Sequence, residues 1–349
     1  MSNFFISTNA ISSPTRTAVM RLQSDLARVQ NELATGRLAD AGLSLGAGTA
    51  ETLTLRQTQS WQSAVAATNA IATSRLDAGQ SALSGMVKSA QDFQDQLVGS
   101  LGAGAARGTI GGSAQSALAE LTNQINVEFS GVHLFGGDNG AAAPLADYYA
   151  TAGSAGRQGV MAAFSAAFGV APGDASVASI TADQMSQFLD GAFAAQFSDP
   201  SWTANWSGAS SRNAAAQISS DETVEVGANA NEKPFRQVAE AYVMVADLGG
   251  DRLNSATFQV VLDKAATLVG TAISGLAAIQ SRLGISQQRV TSAGERLSVQ
   301  GNIIANRLTH IERVDPYQAT TAANGLITQL QASYAATAQI QKLSILNYL

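Results

Sequence analysis

Counting in sevens from Leu262 lands on Val269, Leu276, Leu283, Val290, Leu297, Ile304 and Ile311, so one phase stays aliphatic over the whole stretch. A spacing of 3.5 residues held this long predicts one continuous helix with a narrow apolar seam. At ~1.5 Å per residue, residues 262–314 make a rod of roughly 80 Å. Each Leu, Ile or Val on the seam gains about 1.5–3 kcal/mol on full burial, so the rod has to pair. A second helical pattern, from about residue 50 to 101, carries Leu76, Leu83, Ala90 and Leu97 seven apart, with Met86 and Phe93 between them. A third, over 113–132, carries Leu118, Leu121, Ile125 and Phe129. These stripes are the expected core of a long antiparallel bundle, in which Leu76, Leu83 and Leu97 face Leu276, Leu283, Val290 and Leu297.

The chain ends carry seams of their own. From Val19 the apolar positions step by three and four through Leu22, Leu26, Val29 and Leu33, and Gly36 follows as a C-cap. Glycines at 36, 42, 46 and 48 predict a non-helical connector after it. Asp315-Pro316 ends the long rod, because proline disfavours helix in the residue before it. The last run places Leu326, Leu330, Tyr334, Ile340, Leu343, Leu346 and Leu349 on one amphipathic helix. Both terminal seams fall outside the bundle and can meet only each other, and two short helices are marginal without further cover. They are therefore expected to pack against neighbouring subunits, remaining partly disordered in a lone chain and folding on assembly.

Between residues 136 and 229 the heptads stop and large rings accumulate: Tyr148, Tyr149, Phe164, Phe168, Phe188, Phe193, Phe197, Trp202 and Trp206. A compact insert with its own small core, at the far tip of the bundle, is expected. Alternation over Thr223–Val226 after Ser219-Ser220-Asp221 predicts a hairpin within it. The expected fold is mainly α, a long antiparallel helical bundle or coiled coil built from both chain halves, with a smaller inserted α+β or β-rich domain. Its expected parts are 1–45 with 316–349 (terminal helices), 46–136 with 230–315 (bundle), and 137–229 (outer insert).

Composition narrows the function classes. Only 13% of the 349 residues are charged and 46% are apolar, a weakly charged polar surface suited to packing against copies. The net charge of -6, with no Lys/Arg cluster, argues against nucleic acid and against an anionic membrane surface. With no cysteine, disulfides and thiolate metal sites are unavailable. The start, MSNFFISTNAISSPTRTAVM, lacks the basic flank and continuous apolar core of a cleaved secretory signal. His133 and His310 have no ligand-spaced partner, and no G-x-S-x-G elbow occurs. Gly102–Thr109 lacks the Lys-Ser/Thr of a phosphate loop and follows a helix, so it is a flexible turn. The carboxylates Asp92, Asp95, Asp221, Glu222 and Glu225 have no neighbours that would raise a pKa and are expected to be solvated. No catalysis, cofactor or metal is expected. Trp202 and Trp206 are candidates for a sugar platform, weighed against the simpler reading of a small core.

Three segments carry a resemblance. STNAISSPTRTAVMRLQSDLARVQNELATGR resembles the N-terminal helix of bacterial flagellin-like axial proteins, a Leu-rich seam ending in a Thr/Ser-Gly-Arg/Lys turn. QINVEFSGVHLFGGDNG and VDPYQATTAANGLITQLQASYAATAQIQKLSILNYL resemble the hook–filament junction branch of that family, the first leading into its outer domain and the second its C-terminal tail. The likeness covers about residues 1–137 and 225–349. Ala39, Asp40, Ala41, Gly42 and Leu43 stand where flagellins carry paired aspartates, and where the common junction form keeps Asp-Asp-Pro. The resemblance implies a structural subunit exported unfolded through the flagellar secretion channel and located at the hook–filament junction. Implied partners are copies of itself in a ring, a neighbouring hook-associated protein, flagellin and an export chaperone. The alternatives are a flagellin filament subunit and, from another class, a surface adhesin or carbohydrate-binding protein acting through the insert.

Overall fold

The computed structural model describes residues 8–103, 107–150 and 153–346, with side chains described over 13–339 apart from 41, 43, 101–103 and the two gaps. In chain order the elements are α1 (Thr8–Thr35), α2 (Ala41–Leu45), α3 (Gly48–Ala103), α4 (Arg107–Ile125), the strands β1 (Glu128–Phe129) and β2 (Val132–His133), α5 (Ala155–Phe168), α6 (Ala182–Phe188), α7 (Ser201–Asn205), the strands β3 (Ala215–Gln217) and β4 (Thr223–Glu225), α8 (Lys233–Asp247), α9 (Ser255–Glu312) and α10 (Pro316–Leu346). They form two compact units, residues 1–63 with 298–349, and residues 64–297.

In the 64–297 unit the fold is the mainly α bundle built from both chain halves. Leu76, Leu83, Met86, Phe93 and Leu97 of α3, Leu121 and Ile125 of α4, and Leu262, Val269, Leu276, Leu283 and Val290 of α9 are all buried in one contiguous core. Leu297 is buried as well. A polar line fixes the antiparallel register of α3 on α9: Gln80 Nε2 donates to the Gln280 carbonyl (2.7 Å), Gln280 Nε2 to Ser84 Oγ (3.0 Å) and Gln287 Nε2 to Asp77 Oδ1 (2.6 Å). Such polar pairs select one register among the many that a uniform heptad seam would accept. The register corrects one expected pairing. A Cβ built on Gly270 would meet Gln94 Nε2 at 3.0 Å, so Leu97 lies level with α9 before Gly270 and not against Leu276–Leu297.

Three local expectations change. The connector after α1 is not wholly irregular, since it holds the short α2. The third helix starts earlier and ends earlier than 113–132, at Arg107 and Ile125. Phe129, in helical phase with Ile125, lies instead on β1, which pairs with β2 as Glu128↔His133 and Phe129↔Val132. The two-residue turn between them has Ser130 at φ 54° and Gly131 at φ 77°, the double left-handed geometry that matches strand twist. The second hairpin forms as the alternation predicts, with Ala215↔Glu225 and Gln217↔Thr223.

The largest difference concerns the insert, which shares the bundle's core instead of forming its own, and whose Pro172, Ala178 and Ile180 lie at the α8–α9 turn. It folds back along α8. Arg157 of α5 pairs with Asp247 at the end of α8 (3.0 Å), and Asn254 Nδ2 donates to the Ala178 and Ile180 carbonyls (3.1 and 2.7 Å). Thr257 Oγ1 also donates to Ile180, and Asp190 pairs with Lys264 of α9. Gly249, at φ +73°, lets the turn after α8 approach the Pro172 carbonyl, where a Cβ would stand at 2.4 Å. The physical reason lies in α8 itself, whose residues Val238 to Val245 are all buried. A helix buried on every face needs cover on both sides, and the insert meets the side that carries Arg236, Glu240 and Asp247. The insert rings belong to the same core as the bundle seam. Tyr148, Trp206 and Trp202 stack in series at 5.1 and 5.5 Å between centroids.

In the other unit, α1 and α10 pair. Val29, Val314, Ala319 and Ala323 are buried between them, with Leu26, Leu33, Leu38 and Leu326 packed around. Gly36, at φ +67°, caps α1 by donating to the Glu32 carbonyl (2.8 Å). An antiparallel bridge, Arg37↔Arg313, then ties the exit of α1 to the exit of α9: Leu38 N donates to Glu312 O (2.9 Å) and Val314 N to Gly36 O (3.1 Å). Pro316 opens α10 as its first residue, and the Asp315 carboxylate accepts from Tyr317 N (2.8 Å).

Candidate assembly surface

The terminal seams are not wholly without a partner inside the chain, because they cover each other. Val29 and Leu330 are buried, while Leu22, Leu26, Leu33 and Leu326 are half-buried. Tyr334 is exposed, its hydroxyl accepting from Gln23 Nε2 at 2.7 Å. The side chains of Ile340, Leu343 and Leu346, and all of Leu349, lie outside the described residues. One helix can shield only one face of another. Met20, Tyr317 and Ile327 accordingly remain exposed on the pair.

In the same unit, residues 48–63 of α3 and 298–312 of α9 bury polar side chains beside Leu308 and leave several large apolar ones exposed. Thr52 and Gln62 are buried, Gln62 donating to Gln300 Oε1 at 3.2 Å. The Glu312 carboxylate is buried too and takes both Nη2 and Nε of Arg56 on one oxygen, at 2.6 and 3.0 Å. Outside stand Leu53 (68% exposed), Trp61 (42%), Val299 (61%) and Ile303 (63%). Ile304 and Ile311, expected in the bundle core, are half-buried here. The heptad count captured the inner phase alone. Leu53, Trp61, Val299 and Ile303 were legible only as apolar residues out of phase with it.

The remaining chemical candidates resolve into structure. Trp202 is fully buried and Trp206 3% exposed, and Trp202 Nε1 donates to Asn231 Oδ1 (3.0 Å), so neither ring offers a face to a sugar. His133 sits on a surface hairpin, Nδ1 against the Asn126 carbonyl (2.8 Å) and Nε2 at 3.4 Å from its cross-strand partner Glu128. His310 is exposed on α9. α9 is long and apolar enough by composition to cross a membrane, but its apolar seam is spent inside the bundle. Two buried acids carry no mark in the sequence pattern. Asp247 accepts from Arg157 Nε (3.0 Å) and Tyr149 Oη (3.2 Å), whereas Glu240 is buried on α8 near Lys264 and Asp190.

Comparison with known proteins places these helices. Residues 6–140 match the bacterial flagellin N-terminal helical region, and residues 266–349 match the bacterial flagellin C-terminal helical region. The chain belongs to the flagellin-like family. It is a structural subunit of the bacterial flagellum, an exported extracellular assembly, and the family is not one of enzymes. No curated protein matches the chain in sequence. A solved chain described as a candidate flagellar hook-associated protein from Vibrio parahaemolyticus shares the fold, with a TM-score of 0.53 at 10% identity, covering 76% of this chain and 97% of its own. Residues 141–265, including α8 and the insert packed on it, fall between the two flagellin regions.

Proposed function

We propose that this chain is the subunit that joins hook to filament, polymerising as a ring through its terminal helices and receiving flagellin on one side and another hook-associated protein on the other. The observation that carries it is the set of large apolar side chains Leu53, Trp61, Val299 and Ile303 left in water on residues 48–63 and 298–312, while Thr52, Gln62 and Glu312 are buried. Removing such side chains from water stabilises an assembled state by about 1.5–3 kcal/mol each. The connector without paired aspartates favours the junction branch over a filament flagellin, as does the FGG segment at Phe135–Gly137. In this reading residues 1–45 and 316–349 line the inner tube, 46–136 and 230–315 form the wall, and 137–229 face outward. During export a chaperone covers the seams of α1 and α10.

Cryo-electron microscopy of native hooks labelled for this protein is the test. A single ring at the end of the hook is the expected result, and a continuous lattice along the filament would make the chain a flagellin. The adhesin reading has lost its supporting observation, since both tryptophans are core.

A further inference from the structure

The bridge between the exits of α1 and α9 pairs Arg37 with Arg313. Residues directly opposite on an antiparallel bridge point to the same side, and like charges so placed repel. Both arginines are exposed, and neither forms an ion pair with another described residue. Arg37 also lines a recess of about 320 Å³ with Arg56, Gln59, Leu308 and Glu312. The recess has one carboxylate, Glu312, and Arg56 already occupies it. The lone chain thus sets two exposed arginines opposite each other on the bridge, Arg37 next to open space, with no ion pair to either among the described residues.

We propose that Arg37 and Arg313 form a clamp for a carboxylate side chain of a second copy of this chain, an inference that rests on the assembly reading above. The planar fork of each guanidinium suits a carboxylate, and an acid placed between them converts a repulsion into two attractions. A second copy is the fitting source because the chain carries 26 acidic against 20 basic residues. Asp95 and Glu295 are among its exposed carboxylates without a basic partner in the described residues. A carboxylate delivered by an assembling neighbour also arrives at high effective concentration, which a free anion does not. The clamp would set the register of the contact more than its strength, since exposed charge pairs mainly steer and orient.

The test uses the full-length chain with Arg37→Gln, Arg313→Gln and Arg37→Glu. Thermal unfolding reads the lone chain, sedimentation velocity reads self-association over a salt series, and sodium phosphate serves as a competing free anion. In the two glutamine variants the melting temperature should hold or rise, because a repulsion is gone, while self-association weakens about tenfold and loses part of its salt dependence. Arg37→Glu should fold and melt no lower than wild type, its carboxylate pairing with Arg313 across the bridge, and should associate no better than the glutamine variants; wild-type association in it overturns the clamp. Glutamine variants that melt lower make the arginines internal struts and overturn the clamp. Wild-type association in the same variants overturns it too, and leaves the assembly reading standing. Phosphate that stabilises only the wild type without slowing its association makes this a small-anion site instead. A wild-type chain that never self-associates removes the assembly reading, and the clamp with it.

Discussion

Glu240 is the residue whose chemistry departs most from its surroundings. Burial pushes its carboxyl up to about 7, Asp190 adds to the rise, and Lys264 and Lys233 oppose it. A carboxyl with a folded-state pKa above its ordinary value of 4.5 holds its proton more tightly in the folded chain. Below the ordinary value both states are protonated and the group is neutral to stability. As pH rises from there to about 7 a penalty accumulates, reaching on the order of 3 kcal/mol and then staying constant. Glu240→Gln should therefore raise the unfolding free energy by up to about 3 kcal/mol above neutral pH and change little in acid. Denaturant titrations on both sides of the transition check this, and an equal gain at both ends would discount the ionisation. The sequence hid this residue because Ala-Glu-Ala inside an amphipathic helix reads as a solvated position, and only a second cover makes it buried.

Among the elements, legibility followed whether each had one buried face or two. α3 and α9 bury a single seam, so their period survives in the sequence, and Leu76, Leu83, Leu276 and Leu283 stand out from their spacing alone. α8 is amphipathic in sequence yet buried on every face over Val238–Val245, Glu240 included, so its pattern does not show that the insert covers its second side. The first hairpin was masked because Phe129 continues the spacing of Leu118 and Ile125, and its turn has only two residues. α5 reaches the tryptophan stack through Gly156, where a Cβ would lie 2.7 Å from Trp206 Cε2. Gly156→Ala should cost about 1–3 kcal/mol by forcing the ring or the helix to shift, and near-ultraviolet circular dichroism should lose intensity from the tryptophans. An unchanged spectrum and melting point would mean that the contact yields freely.

At the scale of the molecule, the division into two compact units predicts separable behaviour. Deleting residues 326–349 removes most of α10 but none of the 64–297 core. The main thermal transition should stay nearly intact while self-association is abolished. Simultaneous loss of both would contradict that separation. The inner phase of the terminal seams was readable from steps of three and four. The outward residues Leu53, Trp61, Val299 and Ile303 were not, since an apolar residue off the seam carries no mark of what will cover it.

The way residues 154–206 clasp α8 has a practical consequence for anyone hoping to shorten this protein or splice a cargo into its outer part. Excising that stretch as though it were a detachable cassette would bare the side of α8 that carries Glu240, Val243 and Asp247, and the truncated chain should clump during refolding even though both flagellin-matched arms remain whole.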